Sequence, residues 1–176
     1  MSLNVKKMLS LFASLVVVIP LYIGLHEGGH VLIAVLCGAK ITTFSVLGAH
    51  MSYTGGVFTS AALSLFYLAG MLLPVLVSIV YTLTYQRKTA SVFYPIFSFF
   101  FLLIPTGSIL AWMIVPVLCL VNQAPPNDDV TKFIASSGCP PWAVSLGAVI
   151  LFAGCCLTAW RKSVIQNYWR TVKLDA

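Results

Sequence analysis

Residues 21–38 read LYIGLHEGGHVLIAVLCG, an apolar run with two histidines and a glutamate at its centre. The run belongs to a longer apolar segment from about residue 8 to residue 37, which at about 1.5 Å per residue can cross a bilayer with tilt or project past one interface. Two lysines precede it, as in a signal peptide, but no convincing small-residue cleavage site follows, so we predict an uncleaved first span. Ionisable side chains are costly in such a span, and they mark a candidate functional site.

The whole chain has the composition of an integral membrane protein. Of its 176 residues, 60% are hydrophobic and 8% are charged, whereas a soluble domain carries about 25% charged residues. The formal net charge is +6, but the Lys and Arg residues flank apolar runs instead of forming a basic face, which argues against a nucleic-acid partner. We predict a single membrane domain over residues 1–176, with membrane lipid as its main surroundings.

Three further apolar segments predict three further spans, at residues 60–85, 92–121 and 142–160. The second of them is interrupted by IPTGS at residues 104–108, which predicts either one kinked helix or two half-helices. Residues 39–57 are rich in Thr, Val, Ile, Phe and Tyr and contain glycine turn signals, which predicts a short β-hairpin at the membrane surface. The predicted fold is an all-α membrane protein of about four transmembrane helices with a short β-hairpin after the first span.

The basic residues predict the orientation of the chain. Four spans place both termini on one side, and eight of the ten Lys and Arg residues then share that side, with Lys40 and Lys132 opposite. The positive-inside rule therefore predicts cytoplasmic termini for this multi-pass protein. The same count places HEGGH and residues 127–129 toward the opposite face.

His26 and His30 belong to HEGGH, which has the HExxH pattern. Positions i and i+4 lie on one face of a helix, so the two imidazoles can bind one metal ion together. Imidazole nitrogens suit Zn²⁺ at about 2.0–2.1 Å. Glu27 would lie beside the open coordination position, where it can accept a proton from the water that attacks a carbonyl group. The alternative is a hydrogen-bonded histidine pair in the bundle with a protonated Glu27.

A catalytic zinc ion usually has three protein ligands and leaves one position for water. The acidic residues besides Glu27 are Asp128, Asp129 and Asp175, and the charge count places Asp175 on the side of the termini. The third ligand is therefore predicted within residues 127–129, and we favour Asp129 over Asp128. A helix N-cap is the alternative for this pair, and one aspartate could cap while the other binds metal.

These features resemble the site-2 protease class of intramembrane metalloproteases, the M50 peptidases. The matching pieces are HEGGH in an apolar span, the β-rich segment after it, LAGMLLP at residues 68–74 and PPNDDVTKF at residues 125–133. The resemblance covers roughly residues 20–135, and the chain looks like a compact, divergent member. It implies an intramembrane zinc metalloendopeptidase with one Zn²⁺ per chain.

The resemblance also implies a role for each site residue. His26 and His30 would be zinc ligands, Asp129 or Asp128 the third ligand, and Glu27 the general base. The substrate would be a membrane-spanning or membrane-associated protein, whose peptide bond is hydrolysed by a zinc-activated water.

Three further features could take part in substrate binding. Residues 41–57 could pair with an extended substrate by strand addition. Gly28 and Gly29 could ease the approach of a substrate backbone, or they could serve helix packing. His50 could contact the substrate or be an interfacial polar residue. Two other functions use the same features: a non-proteolytic membrane binding or chaperone-like protein of this fold, and a small metal transporter.

Overall fold

A computed structural model describes residues 2–173, and Asp175 lies outside them. The described residues form six helices and one two-stranded hairpin, in the order α1 (Leu3–Leu36), β1 (Ala39–Ser45), β2 (His50–Gly55), α2 (Ser60–Leu83), α3 (Phe93–Leu120), α4 (Asp129–Ser137), α5 (Pro141–Arg161) and α6 (Val164–Val172). The predicted fold class is confirmed, because the chain is mainly helical and the hairpin follows the first helix.

Four of these helices are long and apolar enough to cross a membrane. They are α1, α2, α3 and α5, with 34, 24, 28 and 21 residues respectively. Each reaches the roughly 20 residues that span the hydrocarbon core of a bilayer. These four helices correspond to the four predicted spans, and they make the chain a membrane protein.

The third span is a single continuous helix, so of the two predicted possibilities one helix is observed and two half-helices are not. Pro105 and Pro116 both lie inside α3. A proline removes one backbone donor from a helix, and neighbouring groups can satisfy the carbonyls nearby. Here the Ser108 hydroxyl donates to the Pro105 carbonyl, with an oxygen–oxygen distance of 2.7 Å.

The hairpin lies alongside α1. Its strands pair antiparallel from Ala39 opposite Gly55 to Ser45 opposite His50. A Cβ atom on Gly24 would lie 3.8 Å from a methyl group of Val46 in the hairpin turn. The turn therefore lies beside the C-terminal half of α1, well before the end of that helix. The hairpin therefore folds back along the C-terminal part of α1, and it does not simply extend beyond the end of that helix.

The two faces of the hairpin have different surroundings. Ala39 is buried in a cluster with Ala34 of α1 and Phe66 of α2, so one face joins the hairpin to the helices. On the outside, Leu47 in the turn is 97% exposed. The cluster fixes the hairpin next to the HEGGH segment of α1.

The C-terminal tail forms α6, which the sequence analysis did not predict. Asn167 of α6 is buried, and its amide nitrogen donates to the Arg87 carbonyl at 3.0 Å and to the Tyr85 hydroxyl at 3.2 Å. The Tyr168 ring stacks on Phe99 of α3 with 3.9 Å between ring centroids. These contacts tie α6 to the connection between α2 and α3.

Side chains of basic residues join the helix ends at the same end of the bundle. Lys7 Nζ donates to the Lys173 carbonyl at 2.8 Å, which connects the start of α1 with the end of α6. Arg87 donates to the Arg161 carbonyl, and Lys162 donates to the carbonyl of Leu83. Basic residues thus lie together at one end of the bundle, which agrees with four spans. That this end faces the cytoplasm is still a prediction.

Candidate metal centre

His26 and His30 lie side by side on α1, as their spacing predicts. Their Nε2 atoms are 3.3 Å apart, and their ring centroids are 4.9 Å apart. His30 is 5% exposed and Glu27 is 7% exposed. HEGGH therefore forms a polar site within the helical bundle, and its side chains do not extend into open surroundings.

Two glycines allow α1 and α2 to approach closely at this point. A Cβ atom on Gly29 would overlap the carbonyl group of Ala69, and a Cβ atom on Gly70 would overlap the imidazoles of His26 and His30. Of the two interpretations of Gly29, helix packing is therefore the one observed, and Gly70 of α2 takes part in the same close approach. Gly28 differs, because a Cβ atom there would meet no atom within 4 Å.

The His30 ring is held by the backbone of α2. Its Nδ1 lies 2.8 Å from the Phe66 carbonyl oxygen, which can only accept, so Nδ1 donates the hydrogen. In the neutral ring, the lone pair then belongs to Nε2, which faces His26. Histidines that bind metals commonly make this outer hydrogen bond, which fixes the tautomer and the ring orientation.

Asp129 of α4 completes a cluster of three possible ligands. Its Oδ2 lies 3.2 Å from His30 Nε2 and 3.6 Å from His26 Nε2. Tetrahedral coordination with bonds of about 2.0–2.1 Å separates ligand atoms by about 3.3–3.4 Å. The three atoms of this cluster are spaced at 3.2, 3.3 and 3.6 Å, so the residues fit a zinc ion.

Asp128 lies next to Asp129 in the chain but has another partner. Its Oδ1 accepts a hydrogen bond from the Val130 backbone at 2.8 Å and so caps α4. The structure therefore brings Asp129, the favoured residue, to the histidines. It does not bring Asp128 into the cluster of three, and Asp128 instead has the predicted role of an N-cap.

Contacts on both sides of α4 hold Asp129 in place. Val130 is only 1% exposed and belongs to the main hydrophobic core. The hydroxyl groups of Ser136 and Ser64 are 3.0 Å apart, which links α4 to α2. The rings of Phe133 and Trp112 have centroids 5.1 Å apart, which links α4 to α3. Asp129 thus begins a short helix whose position is set by packing.

The electrostatics of the cluster favour a cation at its centre. Partial burial raises the pKa of the Asp129 carboxyl, but the neighbouring imidazoles of His26 and His30 outweigh burial and hold the pKa well below its usual range. An ionised carboxylate is only an acceptor, and His30 Nε2 presents a lone pair when Nδ1 carries the hydrogen. Two such acceptors at 3.2 Å repel one another unless a proton or a metal ion lies between them.

No known family model, curated protein or solved structure matches this chain. The interpretation of the site therefore rests on the residues and their geometry.

A cavity of about 540 Å³ opens onto the cluster. Its wall includes the three clustered residues and Glu27, together with residues from the hairpin, α2 and the start of α4: His50, Met51, Tyr67, Asn127 and Lys132. His50 is exposed, and its Nδ1 lies 3.4 Å from the Gly48 carbonyl, so the hairpin presents this side chain at the cavity. The cavity provides room for a ligand larger than a metal ion.

Two features of the site were missed by the sequence analysis. One is the carbonyl of Phe66, which a sequence cannot mark, since every residue has a carbonyl group. The other is Lys132, which we counted only as a topology signal. Its position three residues after Asp129 was the available clue, because i and i+3 share a helix face.

Proposed function

We propose that this chain is an intramembrane zinc metalloendopeptidase, which hydrolyses peptide bonds in membrane-spanning or membrane-associated proteins. The observation that carries the proposal is the convergence of His26, His30 and Asp129 in a bundle of membrane-spanning length, with Glu27 lining the same cavity. The cluster would hold one Zn²⁺ per chain. The resemblance of HEGGH and its neighbouring segments to site-2 proteases supports the same reaction.

Glu27 is the candidate general base. It lines the same cavity as the three clustered residues, and it is almost fully buried. Bound Zn²⁺ would polarise the substrate carbonyl and make water more acidic. Glu27 would accept the proton of the attacking water and then deliver it to the leaving amine, so that the peptide bond is cleaved with no net change in the carboxylate.

The hairpin supports the proposal from the side of the substrate. Within residues 2–173, β1 and β2 form a two-stranded sheet, so each has one unpaired edge. An extended peptide can hydrogen-bond to such an edge as an added strand. His50 and Met51 of β2 line the cavity, so a peptide on this hairpin would pass close to the cluster. A helical substrate would have to unwind locally to bind in this way.

The decisive experiment compares Glu27→Gln with wild type and with Asp128→Asn. Full-length chains in liposomes would be analysed for zinc and tested against a panel of single-span substrate proteins. We expect about one zinc per chain in all three, and a loss of cleavage of about 10²-fold or more in Glu27→Gln alone. Asp128→Asn is the matched control, because it removes a carboxylate from the same cavity while asparagine still caps a helix.

Two results would overturn the proposal. One is undiminished cleavage by Glu27→Gln, and the other is a wild-type chain that binds zinc without cutting any substrate in the panel. Zinc flux into the liposomes that depends on His26 and His30, without cleavage, would identify a transporter.

A further inference from the structure

Lys132 is a cation held at the wall of the cavity. It lies on α4, three residues after Asp129, and both side chains line the same cavity. Its Nζ lies 5.7 Å from the centroid of the Tyr67 ring on α2, within the range of about 6 Å over which a cation is attracted to an aromatic face. The Tyr67 ring thus gives this long side chain a preferred position beside the candidate metal centre.

The charge of Lys132 is not neutralised by the carboxylates around it. Among residues 2–173, the ion pairs all involve Asp129, with His26 and His30 as its partners. Asp128 and Asp129 precede Lys132 by four and three residues, which are positions from which a carboxylate can reach a lysine on a helix. Asp128 instead caps the helix and Asp129 faces the histidines, so the ammonium group remains available.

Lys132 is also the single Lys or Arg among the described residues that line this cavity. Lys40 belongs to the same end of the bundle by the charge count, but it is exposed on β1 and does not line the cavity. A lone cation in a cavity where it is partly shielded from solvent favours an anionic group on a bound ligand. On a peptide, that group is a carboxylate.

We propose that Lys132 is a specificity-determining residue that binds a carboxylate of the substrate next to the cleaved bond. This inference rests on the proposed function, since it names the substrate class of the same site: peptides with a negative charge near the position of cleavage. The carboxylate can be the side chain of an aspartate or glutamate, or the free C-terminus of a peptide whose end enters the cavity.

A purely structural role for Lys132 makes a different prediction. The cation–π contact joins α4 to α2 and would stabilise the packing of these two helices. If that were its whole role, Lys132→Gln would lower stability and affect all ligands equally. A carboxylate site instead changes the preference between charged and neutral ligands.

The test measures binding separately from cleavage. Zinc-loaded Glu27→Gln chains in nanodiscs would be titrated with fluorescent single-span peptides, each with an aspartate at one position of the segment flanking the span, and with the matching asparagine peptides. Both series have amidated C-termini. A third series of truncated peptides ends within the flanking segment, as a free acid or as an amide, and tests the C-terminal carboxylate.

We expect the best aspartate or free-acid peptide to bind about tenfold more tightly than its neutral partner. The ratio should fall to about one in Lys132→Gln and remain largely intact in Lys132→Arg. Lys40→Gln is the matched control, because it removes the same charge outside the cavity. Zinc content and thermal stability would verify that each variant is folded.

The outcomes separate this inference from the proposed function. A ratio that is unchanged in Lys132→Gln, or a wild-type Lys132 chain without any preference for a carboxylate, overturns the inference. A ratio lost equally in Lys132→Gln and Lys40→Gln also overturns it, since net charge would then explain the effect. A Lys132-dependent ratio in a chain that cuts no substrate supports the carboxylate site while the protease proposal fails.

Discussion

Asp128 and Asp129 are neighbours in the chain, yet their carboxylates have different partners. Asp128 Oδ1 accepts from the Val130 backbone at 2.8 Å, whereas Asp129 Oδ2 lies 3.2 Å from His30 Nε2. The helix start separates the two roles, because the N-cap side chain turns back to the first helical turn and the next side chain projects away from it. Asp128 thus caps α4, and Asp129 joins α4 to α1.

This difference predicts the metal content of two matched variants. Asp129→Asn should lower zinc affinity by more than the roughly 10–100-fold that the loss of an outer-shell partner costs, since a direct ligand is removed. Asp128→Asn should retain zinc, because asparagine is a good N-cap. Zinc per chain after dialysis against a weak chelator measures both. The reverse ranking would make Asp128 the ligand.

Gly28 and Gly29 provide a second matched pair. Gly29→Ala should destabilise the protein by about 1–3 kcal/mol, because its Cβ atom would overlap the Ala69 carbonyl and force α1 away from α2. Gly28→Ala should leave stability unchanged or raise it by roughly 0.5–1 kcal/mol, since its Cβ atom meets nothing within 4 Å and alanine favours a helix.

Thermal unfolding in detergent would compare these two variants, and zinc binding would show whether the cluster changes with them. Equal losses of stability would contradict the close approach at Gly29. If Gly29→Ala alone loses both stability and zinc, then one methyl group between α1 and α2 disturbs the cluster by moving the helices apart.

Asn167 tests the attachment of α6. Asn167→Leu should cost about 1–3 kcal/mol of local stability, because the Arg87 carbonyl and the Tyr85 hydroxyl both lose a donor. The variant should therefore become sensitive to proteolysis near residue 164 and keep its zinc, since the metal cluster lies on other elements. Arg170→Ala, an exposed change on the same helix, should stay within about 0.5 kcal/mol of wild type.

The distribution of basic residues predicts the sidedness of the bundle. In a chain without its five native cysteines, Lys40→Cys should react with a membrane-impermeant maleimide in intact cells. Lys88→Cys should react only after lysis, because the basic end is expected to face the cytoplasm. Both positions are exposed, so accessibility within the protein does not distinguish them. Labelling in the opposite order would place the termini outside.

The sequence predicted those parts of the fold that depend on local composition. Four long apolar segments became four helices, and the β-rich segment after HEGGH became a hairpin. IPTGS left one helix and two half-helices both possible, because a proline lowers helix propensity. In the structure α3 is continuous around Pro105. The sequence analysis did not predict α6, although its apolar residues recur at helical spacing and share one face: Val164, Ile165, Tyr168, Trp169 and Val172. That spacing was the available signal for a short amphipathic helix.

The site was predictable to the extent that its residues are rare. The single glutamate and the paired histidines identified HEGGH, and the scarcity of acidic residues pointed to Asp128 and Asp129. The contact of Lys132 with Tyr67 joins two helices that are distant in sequence, and both residue types are common at membrane interfaces. No local pattern indicates such a contact, so it required the packing of α4 on α2.

Leu47, at the outward turn of the hairpin, has a consequence for the lipids around this protein. Because Leu47 is 97% exposed, contact with acyl chains would be more favourable for it than contact with water. We therefore expect the hairpin to act as a shallow lipid anchor as well as one wall of the cavity. Bilayers of shorter or longer acyl chains should shift this anchor relative to the helices, since mismatch is relieved by small adjustments of depth and tilt. We therefore expect membrane thickness to affect access to the candidate metal centre.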